Sequence, residues 1–160
     1  MNEQLAWEQE LASRLPVFGH RNWIVVADAA YPAQSKPGIE TIAADGDHLE
    51  TVKIVLGHID ASAHVRANVY TDLELDLVAE SDAPGIGHCR QQLGTLLENA
   101  NIKQLPHEQI IAKLDECARV FRVLIIKTAL TLPYTSVFFE LDCGYWNAEA
   151  EERLRRAMHQ

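Results

Sequence analysis

Trp23-Ile24-Val25-Val26-Ala27, followed at once by Asp28, is the stretch on which the fold turns. The run is continuously apolar and rich in β-branched residues, with no polar alternate position that could face water. Such a strand is buried on both sides, as strands are when a parallel sheet is covered by helices. At five residues it is also the longest apolar run in the chain, whereas a membrane-spanning helix needs ~20. No membrane association is expected.

Upstream, residues 3–15 place Leu5, Leu11, Ala12 and Leu15 on one face, with Glu3, Glu8 and Glu10 elsewhere, and Pro16 stops the segment. That pattern predicts a helix. Gly19-His20 then falls in a short loop. Downstream, residues 29–38 carry Pro32, Pro37 and Gly38 and read as a loop. A short strand over 40–43 leads to Asp45-Gly46-Asp47, and Asp47 predicts an N-cap for a helix to about His58. Residues 65–78 end in alternation, Val69, Thr71, Leu73, Leu75 and Leu77 against Tyr70, Asp72, Glu74 and Asp76. Period 2 predicts a strand with one acidic, solvated face. Helices are expected over 87–100 and from Pro106 through Ile110, Ile111, Leu114 and Ala118. Two more strands, 122–128 and 136–141, are joined by 129–135, and a charged helix covers 149–156. Strands alternating with helices predict an α/β fold in three layers, with a largely parallel sheet and helices on both faces.

The chain has 160 residues, the size of one domain on a prior of ~100–200 residues each. Hydrophobic residues make up 48% and charged ones 23%, a globular balance. Asp and Glu outnumber Lys and Arg by 23 to 14, for a net charge of -9. That field repels phosphate backbones, so no nucleic-acid partner is expected. The opening Met1-Asn2-Glu3 has no signal-type apolar core, and a cytoplasmic location is expected. Cys89, Cys117 and Cys143 are odd in number and widely spaced, which gives neither a disulfide framework nor a paired zinc motif.

Candidate chemistry centres on Gly19-His20 and Asp28, at opposite ends of the buried strand. A five-residue strand spans roughly 17 Å at ~3.3 Å per residue. The two side chains therefore meet only if the His20 loop folds back, or if each meets a partner from another subunit. Ligands of open α/β sheets bind outside the carboxyl ends of strands, which favours Asp28 as a site residue; Asp28 is equally suited to capping the turn that follows. His107 opens a helix in Pro106-His107-Glu108, where it can serve a site or simply fill the first turn. Tyr134 precedes a strand and can anchor its end. His58 and His64, His88-Cys89, and the Asp72, Glu74, Asp76 face make poor metal sites. No metal site is expected, and GxGxxG, GxxxxGK[ST] and GxSxG are all absent.

Phe18-Gly19-His20-Arg21-Asn22, then Ile24 through Ala29 and Pro32, resembles the N-terminal signature of the D-ribose pyranase and L-fucose mutarotase family. Pro106-His107-Glu108-Gln109 is similar to its Thr-His-Glu-Gln segment. Lys127-Thr128 followed by Pro133-Tyr134-Thr135-Ser136 resembles its Arg-Ser/Thr-Gly-Glu and Pro-Tyr-Ala-Asn before the last strand. The segments occur in family order. Ser136 stands where the family has Asn, Ala129-Leu130 replaces Gly-Glu, residues 60–104 match little, and the tail beyond Gly144 runs past the usual family end.

The resemblance implies an RbsD-like fold over 1–160, with a C-terminal helical extension at about 147–159. It implies His20 as the acid/base catalyst, with Asp28, His107, Tyr134 and Ser136 binding a monosaccharide. It also implies a homo-oligomeric ring, typically a decamer, with the site built across a subunit boundary. Interconverting sugar anomers, or pyranose and furanose rings, needs one proton taken from the anomeric hydroxyl and one delivered to the ring oxygen. An imidazole does both near neutral pH, and a carboxylate and a phenol hold the remaining hydroxyls. No cofactor is needed for that chemistry. Two other readings remain open: a non-catalytic carbohydrate-binding protein of the same fold, and an assembly subunit with a vestigial pocket.

Overall fold

The structure is a computed structural model that describes residues 5–160. Glu3, placed by sequence in the first helix, lies outside the described residues. Strands β1 (Trp23–Ala27), β2 (Ile39–Ala43), β3 (Val65–Asp72), β4 (Ile102–Leu105), β5 (Val123–Lys127) and β6 (Val137–Cys143) form one sheet. Their spatial order is β2-β5-β1-β6-β3-β4. β5 pairs parallel with both β1 and β2, and β3 pairs parallel with β4. β6 alone runs the other way, inserted between β1 and β3. The sheet is mostly parallel, as the continuous apolar strands predict.

Helices α1 (Ala6–Arg14), α2 (His48–Asp60), α3 (Ile86–Leu96), α4 (His107–Ala118) and α5 (Ala148–Met158) complete the chain. β1 is buried at every position, and its alternate side chains divide two cores. Ile24 and Val26 pack with Leu11, Val55 and Leu93, so α1, α2 and α3 cover one face. Trp23 and Val25 pack with Ile110 and Leu114, so α4 covers the other. Asp47 caps α2 by accepting from the Glu50 amide at 3.0 Å. Gly38 lets the chain enter β2 hard against the end of α4. A Cβ there would sit 2.2 Å from the Ala118 carbonyl oxygen. α5 buries no residue and is laced by its own Glu151–Arg155 and Glu152–Arg156 pairs. Among the described residues no helix is long and apolar enough to cross a membrane.

The structure corrects the reading of 65–78. β3 ends at Asp72, and residues 73–77 coil into a 3-10 turn. The Arg90 guanidinium donates to the Leu75 and Val78 carbonyls at 2.7 to 3.0 Å, taking the place of a neighbouring strand. Asp72, Glu74 and Asp76 consequently share no solvated face. Asp72 is 1% exposed, Glu74 reaches the start of α4, and Asp76 accepts from Gln104. The helix expected over 87–100 ends at Leu96, and the missed edge strand β4 follows. Its Ile-Lys-Gln-Leu sequence is almost wholly exposed, so it carries no periodicity to read.

Candidate functional site

The carboxyl ends of the parallel strands and the amino end of β6 meet at one rim of the sheet. Asp28 follows β1, Asp72 closes β3, His107 follows β4, and Ser136 precedes β6. A cavity of about 400 Å³ opens there, lined by Asp28, Tyr31, Gln34, Asp72, His107 and Tyr134 among others. It falls in the range of ~300–1,000 Å³ for small-molecule sites and lies where open α/β sheets bind ligands.

Asp28 is held by Ser136. The Ser136 hydroxyl donates to Asp28 Oδ1 at 2.9 Å, and the Asp28 amide approaches the same hydroxyl at 3.3 Å. Ser136 is 2% exposed, so its one proton is committed to the carboxylate rather than offered to the cavity. The Asp28 backbone carbonyl also accepts from the Tyr31 amide, closing the turn that follows β1.

His107 is the first residue of α4, and its position is doubly determined. Both carboxylate oxygens of Glu74 accept from its backbone N–H, at 2.9 and 3.0 Å. Its ring Nδ1 lies 2.9 Å from Asp72 Oδ1. The ring meets Tyr134 edge-on with centroids 5.7 Å apart and is backed by Phe138 at 6.4 Å. Burial pushes the Asp72 carboxyl up to about 6, with Glu74 and Asp28 adding to the rise, while the His107 bond opposes it. Asp72 escaped the sequence reading because period 2 placed it among solvated acids.

Tyr134 sits at φ 58°, a left-handed conformation that costs a non-glycine residue ~1–3 kcal/mol. Its loop, 128–136, is pinned from beneath by His48, another residue the sequence did not single out. His48 is 2% exposed and bonds the Thr135 carbonyl through Nε2 at 2.7 Å and the Thr128 hydroxyl through Nδ1 at 2.8 Å. Burial lowers its pKa from 6.5, against the opposing Thr135 bond and the charges of Asp28 and Asp47. A buried imidazole held neutral stabilises the fold above its unfolded pKa, and that stability is lost as pH falls. Asp72 acts in the opposite sense, because a raised carboxyl pKa adds stability as pH falls. The readout is therefore a difference. From about pH 7 to about pH 5, wild type should lose more urea stability than His48→Gln; parallel losses would remove His48 as the cause.

His20 stands elsewhere in the chain. It lies before β1, at the opposite end of the sheet from Asp28, and its ring Nδ1 pairs with Asp142 Oδ1 at 2.8 Å. Desolvation of Asp142 is outweighed by the Cys143 amide, Arg66 and His20, so its carboxyl titrates below the usual range. A larger cavity, about 860 Å³, lies beside His20, Arg21, Trp23 and Cys117. None of Asp28, His107, Tyr134 or Ser136 lines it. Within one chain the structure thus gathers Asp28, His107, Tyr134 and Ser136 and leaves His20 apart, as the strand length predicts. His58 and His64 are structural: His58 pairs with Glu8, and His64 bonds the Leu15 and Phe18 carbonyls, holding the turn that leads to His20.

No curated protein sequence matches the chain. Solved structures do. Bacillus subtilis RbsD, determined with D-ribose, superposes with a TM-score of 0.60 at 18% identity, over 89% of this chain and 98% of that one. The fucose mutarotase of Streptococcus pneumoniae, determined with L-fucose, gives 0.57 at 22% identity, over 83% and 91%. FucU from Bifidobacterium longum gives 0.57 at 16% identity, over 84% and 94%. At these identities the likeness is one of fold. The sequence profile of one family covers the whole sheet and every candidate residue, matching residues 1–143, and by that match the chain belongs to the RbsD / FucU transport protein family.

Proposed function

We propose that this protein is a monosaccharide mutarotase or pyranase, interconverting anomers or pyranose and furanose forms by acid/base catalysis without a cofactor. The observation that carries the reading is the convergence of Asp28, His107 and Tyr134 on one cavity at the strand ends. A carboxylate, an imidazole and a phenol are donors and acceptors suited to a polyhydroxylated ligand. Family membership over residues 1–143 supports the same class of substrate, as do relatives of like fold determined with D-ribose and L-fucose.

In this reading His20 is the catalytic acid/base, and it comes to the cavity from another copy of the chain. Roughly 17 Å of strand and the exposed position of His20 at the opposite end of the sheet favour a shared site over a folded-back loop. Homo-oligomerisation, as a ring in the family manner, is then a condition of activity. Asp28, positioned by Ser136, and Tyr134 hold sugar hydroxyls.

Exchange and saturation-transfer NMR with free pentoses and hexoses tests the reading, because it detects binding and ring interconversion together. Accelerated exchange for at least one sugar is expected, from a species that sediments far above 17.9 kDa. Saturation transfer without accelerated exchange would establish a carbohydrate-binding protein instead. A purely monomeric enzyme would remove the shared site.

A further inference from the structure

We propose that Asp72 is a positioning residue that holds His107 with its proton on Nδ1, so that Nε2 offers the sugar a second proton-transfer group beside His20. The proposal rests on the mutarotase reading above. Ring opening needs two groups at once. A base takes the proton from the anomeric hydroxyl, the C1–O1 bond becomes a carbonyl, and the bond from C1 to the ring oxygen breaks. The electron pair of that bond goes to the ring oxygen, which takes a proton from an acid. Reclosure on the other face, or through a different hydroxyl, runs the same transfers in reverse. One histidine can serve both ends only by turning; two fixed imidazoles need not move.

His107 is built for a fixed role. Its backbone is tied by the bidentate Glu74 carboxylate and its ring by Asp72, so neither the chain nor the side chain can rotate freely. Asp72 Oδ1, 2.9 Å from Nδ1, is an acceptor when ionised and therefore demands Nδ1–H. In the neutral ring that leaves Nε2 an acceptor, and Nε2 makes no hydrogen bond to any described residue. Both residues line the cavity, but the side chain of Asp72 is 1% exposed while that of His107 is 27% exposed, so the orienting group is buried in the cavity wall and the working group is the more open of the two. A base held by a third, buried group is the arrangement by which an imidazole is kept in one tautomer. The other titratable groups near Asp72 are Glu74 from the turn after β3, Asp28 from the end of β1 and the Tyr31 phenol. None of these is a cation, so among the described residues His107 is the basic partner of the carboxylate.

Two measurements test the assignment on the full-length protein. Long-range ¹⁵N–¹H spectra of the histidine rings, recorded without sugar, should show His107 as the Nδ1–H tautomer in wild type. Asp72→Asn should shift it toward Nε2–H, because the amide can donate to Nδ1. With sugar present, the same variant should slow interconversion ~10²–10⁴-fold, with the sugar Kd moved far less. A wild-type His107 protonated on Nε2, a tautomer indifferent to Asp72→Asn, or exchange within twofold of wild type would each overturn the role of Asp72. Should wild type interconvert no sugar at all, the mutarotase reading and the catalytic half of this one fall together. The ring spectra would then still decide whether Asp72 sets the tautomer.

Discussion

His20→Ala should slow sugar interconversion ~10²–10⁴-fold, the usual loss when a general acid/base is removed, and should leave the fold and its assembly intact. The stability half follows from position. The His20 side chain is 58% exposed, and among the described residues its polar partner is Asp142. Exposed pairs of this kind contribute ~0–1 kcal/mol, and Asp142 keeps Arg66 and the Cys143 amide after the change. Circular dichroism and sedimentation of the variant should match wild type. The activity half follows from what His20 would face. If it reaches the Asp28 cavity of another copy, then mixing His20→Ala with Asp28→Asn subunits should restore part of the activity, since some sites receive both intact groups. Exchange rates within twofold of wild type in His20→Ala alone would take this residue out of the chemistry and leave His107 as the sole imidazole of the site.

The largest expected loss of stability is at Phe138. It is fully buried in β6, in register with Val25 on one side and Tyr70 on the other, inside the core beneath α4. Phe138→Ala should cost ~3–5 kcal/mol, measured as the shift of the urea midpoint at constant slope. The ring also backs His107 at 6.4 Å, so the surviving folded protein should bind sugar more weakly, through a looser imidazole. A loss below ~1 kcal/mol would mean that the site collapses to fill the void.

Both predictions show how unevenly the chain discloses itself. The β1 run, the β5 run and the Asp47 cap were legible because each rests on local physics: a buried strand must be apolar at every position, and a helix start must satisfy free amides. With helices between them, these segments were enough for a three-layer, mostly parallel architecture. The separation of His20 from Asp28 was legible for the same reason, since strand rise is a constant of backbone geometry.

Other features had no local signature. Residues 73–77 keep the alternation of a strand, yet Arg90, remote in sequence, captures their carbonyls and coils them. β4 has no apolar face and exists because β3 offers it a parallel partner. Ser136, singled out by the family resemblance as a ligand contact, carries no local sign of its bond to Asp28, 108 positions away. Asp72 and His48 look like a solvated acid and a helix-start residue, and only the packed sheet buries them and joins one to His107 and the other to the loop of Tyr134. The sequence by itself determined the apolar strands β1 and β5, the Asp47 cap and the distance between the two ends of β1, because those depend on neighbours along the chain. Which acid sits beside which histidine, and how buried it is, the tertiary structure alone decided, because burial and pairing depend on residues 35 and 87 positions apart meeting at one rim of the sheet.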